Sequence, residues 1–208
     1  MYVPRRFNPP DDDAVRAVMA ATDFAVLVSV DGGRPTATHL PVLYSGEAGT
    51  FGVFRAHFAR ANPHWRALEA GGEVLVICPG PHGYISPAWY HGREVPTWDY
   101  VAVHAWCRPR VLRERAELEA LLDELMEANE GRTGTGRRYA DYPAGFLEPQ
   151  LRAIVGVELA IERVEGAFKL SQNRDAADRT SVREHLRAMD DPSQAALADA
   201  IERYDPDA

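Results

Sequence analysis

Apolar and polar positions change period several times along the chain, and those changes outline its elements. In DDDAVRAVMAAT, Val15, Val18 and Met19 recur at helical spacing behind three aspartates, whose charge suits the positive end of a helix dipole. Three strand-like runs follow, FAVLVSV, PTATHLPVLYS and TFGVFRAHF, parted by DGGR and GEAG, where glycine supplies the positive φ that tight hairpins need. The stretch ARANPHWRALEAGG sets Trp65 and Leu68 one helical turn apart, with Pro63 in the first turn and a glycine pair as the stop. EVLVICPG then reads as a buried strand. YVAVHAWCRPRVL alternates Val101, Val103, Ala105 and Cys107 against Ala102, His104, Trp106 and Arg108, as a long strand with one face on a core does. AELEALLDELMEANEG carries Leu118, Leu121, Leu122, Leu125 and Met126 on one helical stripe and is expected to end at Gly131.

FLEPQLRAI predicts a short helix or turn. VGVELAIERVEGAFKLSQN predicts a final strand with Val155, Val157, Leu159 and Ile161 on one face. Two amphipathic helices close the chain, one on Val182, Leu186 and Met189, the other on Leu197, Ile201 and Tyr204 behind an Asp-Pro start. Five or six strands with few crossover helices predict an α+β protein with a mainly β core, built as an antiparallel barrel or strongly curved sheet with flanking and C-terminal helices. The expected organisation is one domain over residues 1–174 and a helical extension over 175–208 packed on it.

Composition narrows the function classes. The 208 residues are 46% hydrophobic and 26% charged, which fits a core of ordinary size and argues against disorder. The net charge of −8 argues against a surface devoted to phosphate backbones, so direct DNA contact is not expected. No run reaches the roughly 18 apolar residues of a spanning helix, and the N-terminal MYVPRRFNPPDDD lacks an apolar leader segment. A cytoplasmic protein without membrane contact is the expectation. The two cysteines, Cys78 and Cys107, read as buried small hydrophobes. The histidines, at 39, 57, 64, 82, 91, 104 and 185, show no metal-ligand spacing, so no metal is expected. Ser86 lies in no nucleophile elbow, and GRTGTGRR lacks the ending and the preceding strand of a phosphate loop.

Three stretches concentrate chemistry. RAHFARANPHW delivers Arg55, His57 and Arg60 from a strand into a helix start; it reads either as an anion pocket or as a helix start decorated with surface cations. KLSQNR places Lys169, Ser171 and Asn173 on one face just beyond a strand, as donors to a ligand or as a polar strand end. All four tryptophans fall between residues 65 and 106, and YISPAWYHGREVPTWDY sets aromatics beside Ser86, Thr97 and Asp99. Such a stretch suits either a flat ring ligand or a core loop whose polar tips are satisfied locally.

The blocks MYVPRRF, HLPVLY, RAHFARANPHW, YISPAWY, VPTWDY and LRAIVGVELAIERVEGAFKLSQNR, in this order, resemble the PaiB-type FMN-binding family of negative transcriptional regulators over about residues 1–185. The resemblance implies the FMN-binding split β-barrel, assembled as a homodimer with flavin at the subunit interface. It also implies cofactor contacts from His39 in the HLPVLY block and a phosphate site at Arg55, His57, Arg60 and Asn62. Ser86, Trp89, Thr97, Trp98 and Tyr100 would approach the ring or ribityl chain, and Lys169, Ser171, Gln172 and Asn173 would close the site. Two features depart from the family pattern: Asp99 stands where VPTWNY is usual, and the connection His91 to Glu94 is short.

The implied function is that of a flavoprotein, acting on a small-molecule substrate as an FMN-dependent oxidoreductase or as a flavin-linked regulator. Its catalytic residues are unassigned, with His57, His91, His104 and Asp99 as acid–base candidates. Two alternatives stand beside it: a transcriptional repressor acting on DNA directly or indirectly, and a haem-binding or haem-degrading split barrel.

Overall fold

The computed structural model describes residues 1–207, and the side chain of Ala144 is left aside. Its elements are α1 (Asp12–Ala21), β1 (Phe24–Asp31), β2 (Arg34–Pro41), β3 (Leu43–Ser45), β4 (Val53–Ala59), α2 (His64–Glu69), β5 (Val74–Ile85), β6 (Thr97–Leu112), α3 (Arg115–Thr133), α4 (Ala144–Arg152), β7 (Ile154–Lys169), α5 (Ala176–Arg187) and α6 (Pro192–Arg203). The strands form a seven-stranded sheet in the order β2-β1-β5-β6-β7-β4-β3, and every pairing with a defined register, β1 with β2 and β5, β4 with β3 and β7, is antiparallel.

The seventh strand comes from a break inside PTATHLPVLYS. Buried Val42 leaves the ladder and donates its backbone N–H to the Asp23 carbonyl at 3.0 Å. The residues before it pair with β1 and those after it with β4. A single apolar run thus serves two different neighbours. Helix α3 runs past the expected stop at Gly131 to Thr133, and Gly134, at φ 75°, supplies the left-handed cap, its N–H reaching the Glu130 carbonyl. Met189 lies beyond the end of α5 and is exposed, so the α5 stripe rests on Val182 and Leu186.

The chain divides into two compact units. One comprises Met1–Met19, Cys78–His104 and Glu165–Ala208; the other comprises Ala20–Ile77 and Ala105–Val164. In the second unit, Leu118, Leu121 and Leu125 of α3 pack with Leu112 and Leu151 into a fully buried cluster. In the first, the buried residues Val182 and Leu186 of α5 and Leu197 and Ile201 of α6 form the apolar faces of the C-terminal helices, and Phe168 meets Tyr204 edge-on at 5.1 Å. Among the described residues no helix is long and apolar enough to cross a membrane, and no group of three or more His, Cys, Asp or Glu is placed to hold a metal ion.

Candidate functional site

The second unit contains the strand-to-helix block. Alternation along β4 buries Phe54, Ala56 and Phe58 and sets Arg55 and His57 together on the opposite, half-buried face. Arg55 is neutralised there. Its guanidinium donates to both carboxylate oxygens of Glu124 at 2.9 Å and to Glu158 at 3.1 Å, and these acids raise its pKa. Two residues along, His57 leaves a buried Nδ1 without a hydrogen-bond partner, and burial lowers its pKa. Arg60 donates to the carbonyls of Arg152 at 2.6 Å and Ile154 at 2.8 Å. Both partners are neutral, and among the described residues no carboxylate compensates Arg60, whose side chain is exposed.

Asn62 organises the start of α2, its Oδ1 accepting from the His64 N–H at 3.0 Å and its Nδ2 donating to Thr38 at 3.4 Å. His64 is buried between the hydroxyls of Ser29 at 2.8 Å and Thr38 at 2.7 Å. Burial lowers its pKa, and with both ring nitrogens engaged it holds structure together. His39 lies exposed on β2, stacked on Phe24 with ring centroids 6.1 Å apart.

In the first unit, Ser86 caps a single 3-10 turn, accepting from the Ala88 N–H at 3.2 Å. Trp89 stacks on His185 at 5.2 Å. Trp98 is 56% exposed and meets Tyr84 edge-on, so these two rings present an aromatic surface. Tyr100 is half-buried on β6. Gln172 folds back on its own backbone, its Oε1 accepting from the Leu170 N–H at 2.8 Å and its Nε2 reaching the Phe168 carbonyl.

Thr97, Lys169, Ser171 and Asn173 come together around a recess of about 120 Å³ that Arg6, Phe7, Tyr90, Val95, Asp99 and Arg174 also line. Lys169 Nζ donates to Thr97 Oγ1 at 2.8 Å, the Trp98 carbonyl at 2.5 Å and Asp99 Oδ1 at 3.1 Å. Ser171 donates to Asp99 Oδ2 at 2.5 Å from a left-handed backbone, φ 59°, that a serine seldom adopts. Asp99 is fully buried; desolvation raises its pKa, and the Ser171 and Lys169 bonds oppose that rise in part.

Reading the sequence singled out neither Arg6 nor Tyr90 as a site residue, although both lie in blocks that carry the family resemblance, and it left Arg174 as the last donor of KLSQNR. What it lacked was the meeting of three distant segments at one point. A larger cleft of about 530 Å³ in the same unit is lined by Arg6 and Arg203 but also by Asp11, Asp13 and Asp205. That excess of carboxylates suits an anionic ligand poorly.

Each unit by itself keeps groups ready for a polar, anionic ligand: the unpartnered His57 Nδ1 and the Arg60 guanidinium in the second, the Tyr90 hydroxyl and the Arg6 guanidinium in the first, with no carboxylate on either arginine among the described residues. In kind they fit a phosphorylated, hydrogen-bonding cofactor. In size the recess of the first unit does not enclose one, because 120 Å³ is below the several hundred Å³ of ordinary cofactor pockets.

The chain is 34% identical over 202 residues, 97% of each chain, to the protease synthase and sporulation protein PAI 2 of Bacillus subtilis. Its fold matches the solved structure of an FAD and Heme binding protein from Mycobacterium smegmatis, with a TM-score of 0.61, 18% identity and coverage of 84% of this chain and 79% of that one. It also matches the flavocytochrome Anf3 from Azotobacter vinelandii, with a TM-score of 0.59, 17% identity and coverage of 86% and 78%. These likenesses establish the split-barrel fold. The family model described as "Putative FMN-binding domain" matches residues 1–163. The chain therefore belongs to this FMN-binding family, as a PaiB homologue whose cofactor is FMN.

Proposed function

We propose that this protein holds FMN at the interface of a homodimer and uses it on a small-molecule substrate, as a flavin-dependent oxidoreductase or a flavin-linked regulator. The observation that carries the reading is the pairing, on one strand-to-helix segment, of an unpartnered buried His57 nitrogen with an Arg60 charge that no carboxylate among the described residues compensates. Arg60, His57 and Asn62 would hold the phosphate, while Arg55, held by Glu124 and Glu158, contributes less than its position suggests. Ser86, Trp89, Thr97, Trp98 and Tyr100 would border the ring and ribityl chain, His39 would reach the cofactor from β2, and Lys169, Ser171, Gln172 and Asn173 would close the site. Bound FMN supplies electron transfer; the protein supplies orientation and hydrogen bonds to the ring.

A homodimer is supported by an apolar face in the second unit. Phe24, Val26, Val28 and Val30 of β1 share one face with their β2 partners Pro41, His39, Ala37 and Pro35, and Phe24 and Val30 are 53% and 67% exposed. A second copy of the chain would cover this face and complete a flavin site that one copy leaves open. The regulatory reading draws on the resemblance of the motif blocks to a family of negative transcriptional regulators. With a net charge of −8, regulation without direct DNA contact is the form that fits.

The deciding experiment is a visible absorption spectrum of the purified protein, before and after FMN is added and the excess removed, with the released ligand identified by mass. Stoichiometric flavin supports the reading, and a colourless protein that refuses FMN overturns it. A Soret band would instead favour haem.

A further inference from the structure

The recess in the first unit is chemically distinct from the strand-to-helix block. Three of its lining side chains, Arg6, Lys169 and Arg174, are cationic, in a chain whose net charge is −8. Its one carboxylate, Asp99, has both oxygens engaged, by Lys169 and by Ser171. Lys169 spends its ammonium protons on Thr97, Trp98 and Asp99, so it contributes charge more than hydrogen bonds. Arg174 pairs with Glu94 and lies 4.6 Å over the Tyr90 ring. Arg6 has no carboxylate partner among the described residues; its guanidinium lies 5.4 Å from the Phe7 ring.

Tyr90 adds the observation that points to a ligand. The residue is 93% buried, at 7% exposure, yet among the described residues its hydroxyl makes no hydrogen bond of good geometry, although Ser171 and Arg174 lie close to it. Ser171 and Arg174 are near enough to oppose the rise that burial imposes on its pKa, and the net effect keeps the phenol protonated as a donor. An unsatisfied buried hydroxyl costs on the order of 1–3 kcal/mol, and an oxyanion among these cations would remove that cost. With roughly 30 Å³ per water in the liquid, a recess of about 120 Å³ has room for a carboxylate or a phosphate group and none for a flavin ring.

We propose that the recess bounded by Arg6, Tyr90, Lys169 and Arg174 is a subsite for one small oxyanion. The group is the anionic end of a free small molecule, at a position separate from the phosphate position assigned above. The inference rests on the flavin reading in one respect, because it names the substrate class as small anions.

The test is calorimetric titration of the full-length protein with inorganic phosphate at constant ionic strength, before and after loading with FMN, in the wild type, Tyr90→Phe and Arg6→Ala. Saturable binding is expected, weakened about tenfold by Tyr90→Phe, the loss expected for one hydrogen bond to a charged group, and at least as much by Arg6→Ala. Arg6 is exposed, so its variant folds even if the Tyr90 variant does not. Phosphate binding that persists at full FMN occupancy supports a free anion as the occupant. Binding abolished by FMN but not by riboflavin overturns a free anion as the occupant, because the cofactor's own phosphate then fills the recess. Absence of saturable binding in the wild type, or equal affinity in all three proteins, overturns the subsite. A protein that takes up no FMN defeats the flavin reading, while the phosphate titration still decides this one.

Discussion

Asp99 shows how much one residue decides at the smallest scale. It is fully buried, and its carboxyl holds a proton to higher pH in the folded chain than in the unfolded one. The sign follows from linkage. Its contribution to stability is complete below the unfolded carboxylate value of about 3.9 and is lost as pH rises through the raised folded value. Asp99→Asn should remove that dependence, so the gap between variant and wild type in urea-unfolding free energy narrows or reverses as pH rises through this window; a gap constant with pH would refute it. Arg60 is the residue on which the phosphate reading turns. Arg60→Gln should weaken FMN about tenfold, the loss of a charge-assisted hydrogen bond, and leave riboflavin affinity unchanged. Fluorescence titration with both flavins separates the two, since a merely structural role would weaken them alike. Arg60 and His57 were legible as candidates from spacing along one strand and helix start. The neutralisation of Arg55 was not, because Glu124 and Glu158 reach it from distant parts of the chain.

At the scale of elements, the helices and strands followed from apolar period, and the largest error fell where an element changes neighbours. PTATHLPVLYS carries an uninterrupted strand signal, yet Val42 gives its N–H to Asp23 and the run divides between two partners. Pairing partners depend on contacts far along the chain, which local period does not encode. A glycine marks a second such limit. Gly156, on β7 opposite His57, has no left-handed backbone to explain it, but an added Cβ would lie 3.0 Å from Leu112 Cβ and 3.0 Å from Leu118 Cδ2. Gly156→Ala should therefore destabilise the protein by about 1–3 kcal/mol through overpacking, seen as a lower denaturation midpoint with an unchanged m-value. A neutral effect would mean that the leucine cluster yields more readily than its complete burial implies.

For the whole molecule, the open question is assembly. The β1 and β2 face that exposes Phe24 and Val30 is the surface a second copy would cover, and the double substitution Phe24→Glu with Val30→Glu tests it. Sedimentation should show a dimer for the wild type and a monomer for the variant, with FMN retention lost alongside; a variant that stays dimeric and keeps its flavin would place the interface elsewhere. Function at this scale was readable as family, because motif blocks in the right order are a property of the chain itself. So was the α+β antiparallel fold, since period and turn residues act between neighbours in sequence. Where charged side chains find their partners was decided by tertiary structure alone: Arg55 is neutralised, Arg60 has no carboxylate partner among the described residues, and Lys169 is turned onto Asp99. So was the gathering of Arg6, Tyr90 and Arg174 around one recess, for electrostatic partners and cavity walls are set by distances in space between residues that the chain keeps far apart.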